Sequence, residues 1–162
     1  MDTKMNQKKI NWKMLILYIV FALVAGGIGA LLGGSMKDFK EVNQPSFAPP
    51  PILFPIVWTV LYILMGISSY LICANKTDKK FKTRACVIYL IQLAVNVLWS
   101  LFFFRLRWYF FSFIWVLLLL VFIIFMIVKF YKIKPLAAYL QIPYLLWTTF
   151  ASILTYYIYT LN

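Results

Sequence analysis

Residues 44–62 decide the fold of this chain and read QPSFAPPPILFPIVWTVLY. Four prolines fix φ and remove backbone donors here: Pro45, Pro49, Pro50 and Pro51. Residues 44–51 are therefore predicted to be extended and turned rather than helical. Pro55 stands where the first turn of a helix tolerates proline, and an apolar run follows it. The stretch predicts a stiff lid that leads directly into a helix forming the wall of a pocket.

The composition around this stretch is that of a membrane protein. Of the 162 residues, 64% are hydrophobic and only 12% are charged, which is more apolar than one soluble core requires. Charged clusters separate long uncharged runs, and about 20 mostly apolar residues form a helix that crosses a bilayer. The sequence predicts an all-α, single-domain bundle over residues 1–162, with a lid loop at 35–52. The five predicted spans are about 14–34, 53–74, 85–104, 108–128 and 136–160.

The distribution of positive charge predicts the topology. The chain has 16 Lys and Arg against 4 Asp and Glu; with the N-terminus inside, 12 of the cations lie in inner segments and 4 in outer ones. By the positive-inside rule, the N-terminus is cytoplasmic and the lid loop is outside. We interpret the basic clusters as topology signals that also contact anionic lipid. A nucleic-acid partner is not expected, and the composition favours a bacterial plasma membrane.

Cys73 and Cys86 flank the predicted inner loop. A disulfide between them would join the two ends of that loop. Because the cytoplasmic side is reducing, the sequence favours free, inert thiols instead.

Small residues recur at every fourth position on one face of the first span, at Ala25, Gly29 and Gly33. Such a face lets another backbone approach closely. Packing within the chain is favoured here over a dimer interface. The fourth span is aromatic and aliphatic throughout, and it is predicted to face lipid or a second copy of the chain.

The second span places aromatic side chains directly after the lid. Trp58, Tyr62 and Met65 share one face of this helix, and Phe54 precedes them. One interpretation is an aromatic belt at the membrane interface. The other is a pocket wall beneath the lid.

The third span carries polar residues at every fourth position: Gln92, Asn96 and Ser100. Trp99 and Phe103 lie beside them. Amides are costly in hydrocarbon unless they find partners. They are therefore expected to meet either another helix, through interhelical hydrogen bonds, or a ligand.

The fifth span combines a proline with a mixed face of large and small residues. Pro143 is predicted to open the helix and to free the backbone acceptor near Tyr139. Trp147, Ala151 and Leu154 share a face, so a small residue stands between two large ones. This pattern predicts a notch that admits a flat ligand, or else close packing against a neighbouring helix.

Several classes of site are excluded by composition. The chain has no His, and its 4 acids lie outside the predicted spans: Asp2, Asp38, Glu41 and Asp78. A proton relay, an acid/base enzyme and a histidine-ligated metal site are not expected. Aromatic side chains with a few neutral hydrogen-bonding groups remain. They suit a large planar apolar molecule bound by stacking, with no required cofactor and no metal.

Three spaced motifs resemble the translocator protein family, also called the tryptophan-rich sensory protein or peripheral benzodiazepine receptor family. They are QPSFAPP at 44–50, QLAVNVLWSLFF at 92–103 and PYLLWTTFASIL at 143–154. The resemblance implies a five-helix bundle, usually a homodimer, that binds porphyrins such as protoporphyrin IX. Isoquinoline and benzodiazepine-type ligands use the same pocket in that family, and eukaryotic members also bind cholesterol.

The resemblance also implies site residues. The pocket tryptophans of the second and fifth helices correspond to Trp58 and Trp147. The remaining implied positions are Gln92, Asn96, Trp99 and Ala151 in the helices, and Pro45, Phe47, Pro49 and Pro50 in the lid. Phe47 stands where the family usually has tryptophan, which keeps a stacking surface without the indole. Residues 155–162 contain no Lys or Arg, so the family's C-terminal sterol pattern is incomplete.

Three functions are compatible with these observations. The favoured one is a membrane receptor, transporter or sensor that binds porphyrins, with Phe54, Tyr62, Phe103 and Leu154 completing the pocket. The second is light- or oxygen-dependent porphyrin breakdown, in which the indoles of Trp58 and Trp147 would react. The third is a lipid-organising structural protein without a ligand.

Overall fold

The computed structural model describes residues 10–34 and 42–162, and within these ranges it contains helices and connecting turns but no strand. The helices are α1 Trp12–Gly33, α2 Leu53–Cys73, α3 Lys79–Ser100, α4 Tyr109–Ile133, α5 Pro135–Tyr139 and α6 Ile142–Leu161. A π-helical turn, Leu101–Arg105, continues α3. Within the described residues, five segments are long and apolar enough to cross a membrane, with α5 and α6 together forming the fifth. The predicted five-span, all-α membrane protein is confirmed.

Two helices extend beyond the predicted spans. Helix α3 begins at Lys79 rather than at 85, and α4 ends at Ile133 rather than at 128. Both extra segments carry basic residues. Lysine and arginine place their charged ends in water while the backbone stays helical, so hydropathy marks the hydrocarbon part of a helix rather than its ends.

Pro143 interrupts the fifth span as predicted. Helix α5 ends at Tyr139, and α6 starts at Ile142 with Pro143 in its first turn. Between them the chain turns at Leu140 and Gln141. The Leu145 N–H donates to the Gln141 carbonyl at 3.0 Å, which restarts the helical hydrogen bonding.

Helix α1 crosses α2 at a glycine. A Cβ atom on Gly66 of α2 would lie 2.5 Å from Ile19 Cα and 2.9 Å from the Tyr18 carbonyl oxygen, both of α1. Since these are backbone atoms, they cannot rotate away. Only glycine permits this approach of the two helices.

The small-residue face of α1 packs within the chain. Gly29 and Gly33 are buried, and a Cβ atom on Gly29 would lie 3.6 Å from Val97 Cα of α3. A Cβ atom on Gly33 would lie 3.3 Å from the Ser100 carbonyl oxygen. The structure shows that this face packs against α3 within the chain, as predicted.

The segment before α2 is tied to the end of α6. The Asn43 backbone N–H donates to Asn162 Oδ1 at 3.1 Å, and Asn162 Nδ2 donates to the Asn43 carbonyl at 3.0 Å. Asn43 Nδ2 also donates to the Leu161 carbonyl at 3.3 Å. These bonds hold the described part of the lid loop, 42–52, over one end of the bundle; residues 35–41 lie outside the described ranges.

Candidate ligand site

Five aromatic side chains from three membrane spans meet beneath residues 42–52, the described part of the lid loop, which we call the lid segment. We call this group the tryptophan cluster: Phe54, Trp58, Trp99, Phe103 and Trp147. The ring centroids of Trp58 and Trp99 are 6.4 Å apart, and those of Phe54 and Trp147 are 5.9 Å apart. Trp99 stacks on Phe103 at 4.9 Å. The fold thus brings together aromatic residues of three spans that were predicted to line one ligand pocket.

Trp58 and Trp147 face the same cluster rather than opposite sides of the bundle. Both are half-buried, whereas Phe54, Trp99 and Phe103 are buried. Trp58 also lies 5.8 Å from the ring of Tyr62. An aromatic belt alone would leave such rings at the lipid interface, so the pocket-wall interpretation describes this arrangement better.

The lid segment covers the cluster through small side chains. Val42 and Ala48 pack against the cluster. The Ala48 N–H donates to the Pro45 carbonyl at 2.9 Å, closing a turn that directs Phe47 away. Pro49 is half-buried and Pro50 is exposed.

Phe47 itself lies outside the tryptophan cluster. It is 43% exposed, and its ring packs edge to face on Tyr157 at 5.2 Å and on Phe150 at 6.4 Å. Phe150 in turn lies 5.5 Å from Trp147. Phe47 therefore does not present its own ring to the cluster. It packs on Phe150, which in turn packs on Trp147.

The predicted amides of α3 form interhelical hydrogen bonds. Asn96 Nδ2 donates to the Tyr62 hydroxyl at 3.0 Å, and the Tyr144 hydroxyl donates to Gln92 Oε1 at 2.9 Å. Gln92, Asn96 and Tyr144 are almost completely buried. Of the two alternatives for these amides, the structure shows the contact with other helices.

Tyr144 is a site residue that the sequence interpretation missed. Its ring lies 6.1 Å from Trp58, and its hydroxyl holds Gln92. The signal was present, since Tyr144 precedes Trp147 by three positions and so shares its helix face. Spacing within one helix could not show the contact with Gln92, which lies on α3.

Several polar groups near the cluster are buried and have no partner within the described residues. They are Trp99 Nε1, Trp147 Nε1, Gln92 Nε2 and Thr148 Oγ1. A buried polar group without a hydrogen bond costs about 1–3 kcal/mol. A ligand with acceptor atoms would recover part of that cost, so these groups mark where a polar edge of a ligand would lie.

A small cavity adjoins the cluster between α1 and α2. Its volume is about 140 Å³, and Phe54, Trp58 and Tyr62 form one wall. Gly29 and Gly33 of α1 line it as well, together with Ser100 and Phe104. Because ligand pockets usually measure about 300–1,000 Å³, a large planar ligand must displace aromatic side chains to bind here.

Ala151 and Leu154 are both buried in α6, and Leu154 belongs to the same hydrophobic group as the tryptophan cluster. The Thr155 hydroxyl donates to the Ala151 carbonyl at 2.7 Å. Of the two interpretations of this face, close packing describes Ala151 in the structure.

The described residues carry no group of three or more His, Cys, Asp or Glu side chains that could hold a metal ion. The tryptophan cluster itself contains no acid and no base. Its chemistry is aromatic stacking combined with neutral hydrogen bonding.

Comparison with known proteins identifies relatives along nearly the whole chain. The sequence profile described as the TspO/MBR family matches residues 17–161. Protein CrtK of Rhodobacter capsulatus is 30% identical over 150 residues, covering 92% of this chain and 92% of that protein. The tryptophan-rich protein TspO of Chlorobaculum tepidum is 35% identical over 124 residues, covering 76% and 78%. Human translocator protein is 33% identical over 133 residues, covering 80% and 78%.

Proposed function

This chain belongs to the TspO/MBR family, and we propose that it binds porphyrins and other planar apolar molecules at the tryptophan cluster. The observation that carries the proposal is the convergence of Trp58 and Trp147 on one aromatic group under the lid segment. The proposal also draws on the relatives of this chain, which include tryptophan-rich and translocator proteins. The physiological role would be that of a receptor, transporter or sensor in a bacterial plasma membrane.

Stacking supplies the affinity in this proposal. A porphyrin is a flat aromatic ring, and indole faces offer area together with a favourable quadrupole. Trp58 and Trp147 are the least buried members of the cluster, whereas Phe54, Trp99 and Phe103 are fixed by burial. The two half-buried tryptophans can therefore turn to make room and then stack on the ligand.

Hydrogen bonding orients the ligand in this proposal. Trp99 Nε1, Trp147 Nε1 and Gln92 Nε2 are donors without partners in the described residues. They would donate to acceptor atoms on the ligand edge. Asn96 has a different role, because its donor is engaged by Tyr62 at 3.0 Å and fixes α2 against α3.

A titration with protoporphyrin IX tests the proposal. Saturable changes in porphyrin absorption are expected for the purified protein in detergent or nanodiscs. Each aromatic contact contributes about 0.5–1.5 kcal/mol, so Trp58→Leu and Trp147→Leu should each weaken binding about threefold to tenfold. Trp108→Leu is the matched control, since Trp108 is 55% exposed and lies outside the cluster.

The same titration distinguishes the competing functions. No saturable signal in the dark, or equal affinity in all three variants, would contradict binding at the cluster. Under illumination, a new porphyrin product that disappears in Trp147→Phe would favour breakdown over simple binding. The homodimer stays a prediction, and light scattering of the purified protein would measure it.

A further inference from the structure

A second cavity lies at the other end of α1 from the tryptophan cluster. Its volume is about 470 Å³, and residues of α1, α2, α3 and α4 line it. This volume is within the range of about 300–1,000 Å³ that small-molecule sites occupy. We call it the thiol cavity, because Cys73 of α2 and Cys86 of α3 lie side by side in its wall.

The thiol cavity is apolar, and one side of it faces the membrane. Leu17 and Phe21 of α1 and Leu90 of α3 form that side and are exposed. Ile72 and Phe130 are fully buried and form the floor. None of the described residues that line it is a Lys, Arg, Asp or Glu. A molecule dissolved in the bilayer can enter from the side, whereas a charged one would lose its hydration.

The two thiols are in contact. Cys73 Sγ and Cys86 Sγ lie 3.4 Å apart, and both residues are free and half-buried. A disulfide bond measures about 2.05 Å, so the sulfurs need to approach by about 1.4 Å. The thiols come from neighbouring helices that a short turn connects, so this approach requires no rearrangement of distant elements.

We propose that Cys73 and Cys86 act as a dithiol that reduces organic hydroperoxides dissolved in the membrane, of the kind formed on lipid acyl chains. Two adjacent thiols supply the electrons, and the apolar cavity admits a substrate from the hydrocarbon phase rather than from water. The activity is independent of porphyrin binding, because no member of the tryptophan cluster lines the thiol cavity.

The reaction balances in two steps. One sulfur attacks the terminal oxygen of the hydroperoxide and breaks the O–O bond, giving a sulfenic acid and the corresponding alcohol. The second thiol then displaces the sulfenic hydroxyl, forming the disulfide and releasing water. Overall, two thiols are oxidised by two electrons, and one hydroperoxide is reduced to one alcohol and one water.

The first attack is assigned to Cys73. Lys82 Nζ donates to the Cys73 carbonyl oxygen at 3.2 Å and to the Asn75 carbonyl oxygen at 2.8 Å. These bonds hold a cation against the backbone of Cys73, the last residue of α2. Thiols next to cations are the more reactive ones, because the thiolate is the nucleophile. Cys86 then acts as the resolving thiol.

Cumene hydroperoxide, an apolar organic hydroperoxide, tests the chemistry. With reduced protein in nanodiscs, we expect one cumyl alcohol per chain and a mass loss of two hydrogens that dithiothreitol reverses. Cys73→Ser should slow alcohol formation at least about tenfold. Cys86→Ser should still form one alcohol but should stop at a sulfenic acid, which dimedone traps. No alcohol from the wild type, or equal rates in wild type and Cys73→Ser, would overturn the proposal.

A matched pair of variants tests the route of entry. Leu17 lines the thiol cavity and Ile16 does not, yet both are 58% exposed on the same helix. Leu17→Trp should fill the opening and slow the reaction with cumene hydroperoxide at least about threefold. Ile16→Trp should react at the wild-type rate. Equal rates in the two variants would overturn entry through the cavity.

Discussion

The two ends of α1 differ in how closely α3 approaches, and the difference explains the two cavities. Near the tryptophan cluster, Gly29 brings α1 to within contact of Val97, and only about 140 Å³ stays open. At the other end, Leu17 and Phe21 stand opposite Cys86 and Leu90, and about 470 Å³ stays open. Small residues draw membrane helices together, and bulky ones leave them apart.

This comparison shows that cavity volume alone does not locate a site. The tryptophan cluster has more aromatic rings, and these rings nearly fill it. A ligand can therefore bind there only if some of the aromatic side chains change their orientation. The thiol cavity is open as it stands, and its distinctive chemistry is limited to one pair of sulfurs. One end is suited to an adaptable stacking site, and the other to a preformed apolar chamber.

The largest expected effect concerns the crossing of α1 and α2 at Gly66. Gly66→Ala would drive a methyl group against the backbone of Ile19, at 2.5 Å. Overpacking of this kind costs about 1–3 kcal/mol, so the midpoint of thermal unfolding in detergent should fall. Gly27→Ala is the control, since a Cβ atom there meets nothing within 4 Å. Equal midpoints would show that α1 can shift without cost.

The next effect tests whether the lid segment helps to hold the bound porphyrin. Pro49→Gly combined with Pro50→Gly should weaken porphyrin binding about tenfold, because glycine enlarges the set of open conformations of the lid segment. The measurement is the protoporphyrin IX titration. Pro135→Gly, at the start of α5, serves as the control away from the lid. Unaltered affinity in the double variant would argue against a closing role.

A smaller effect is expected for the hydrogen bond that joins α2 to α3 beside the cluster. Asn96 donates to Tyr62 at 3.0 Å in a buried setting. Pairs of this kind in membrane proteins contribute about 0.6 kcal/mol on average. A double-mutant cycle of Asn96→Ala and Tyr62→Phe, read by thermal unfolding, should give a coupling energy of that size. A coupling near zero would mean that ring packing alone holds the two helices.

The smallest effect is a test of independence between the two ends. The cavities are centred roughly 20 Å apart along α1, by its rise per residue. Energetic coupling between well-separated sites is usually within about 0.5 kcal/mol. Oxidation of Cys73 and Cys86 to the disulfide should therefore change porphyrin affinity by about twofold or less. A larger change in porphyrin affinity would show that the two cavities are energetically coupled through α1.

Much of the candidate site could be predicted because its residues follow helical spacing. The positions of Trp58, Trp99 and Trp147 show which face of each helix is aromatic. Apolar helix faces generally pack towards the core of a protein. The outward position of Phe47 could not be predicted, since it depends on a single turn between Pro45 and Ala48. Tyr144 was missed because its partner, Gln92, lies on another helix.

The sequence by itself determined five membrane spans, the break before Pro143 and the polar and aromatic faces of each helix. These properties are local, since they depend on hydropathy, proline chemistry and spacing within one segment. Only the tertiary structure decided that the amides of α3 bond to tyrosines, and that two thiols meet in the wall of an apolar cavity. Those contacts depend on how closely the helices approach, and side chains far apart in the sequence set that distance.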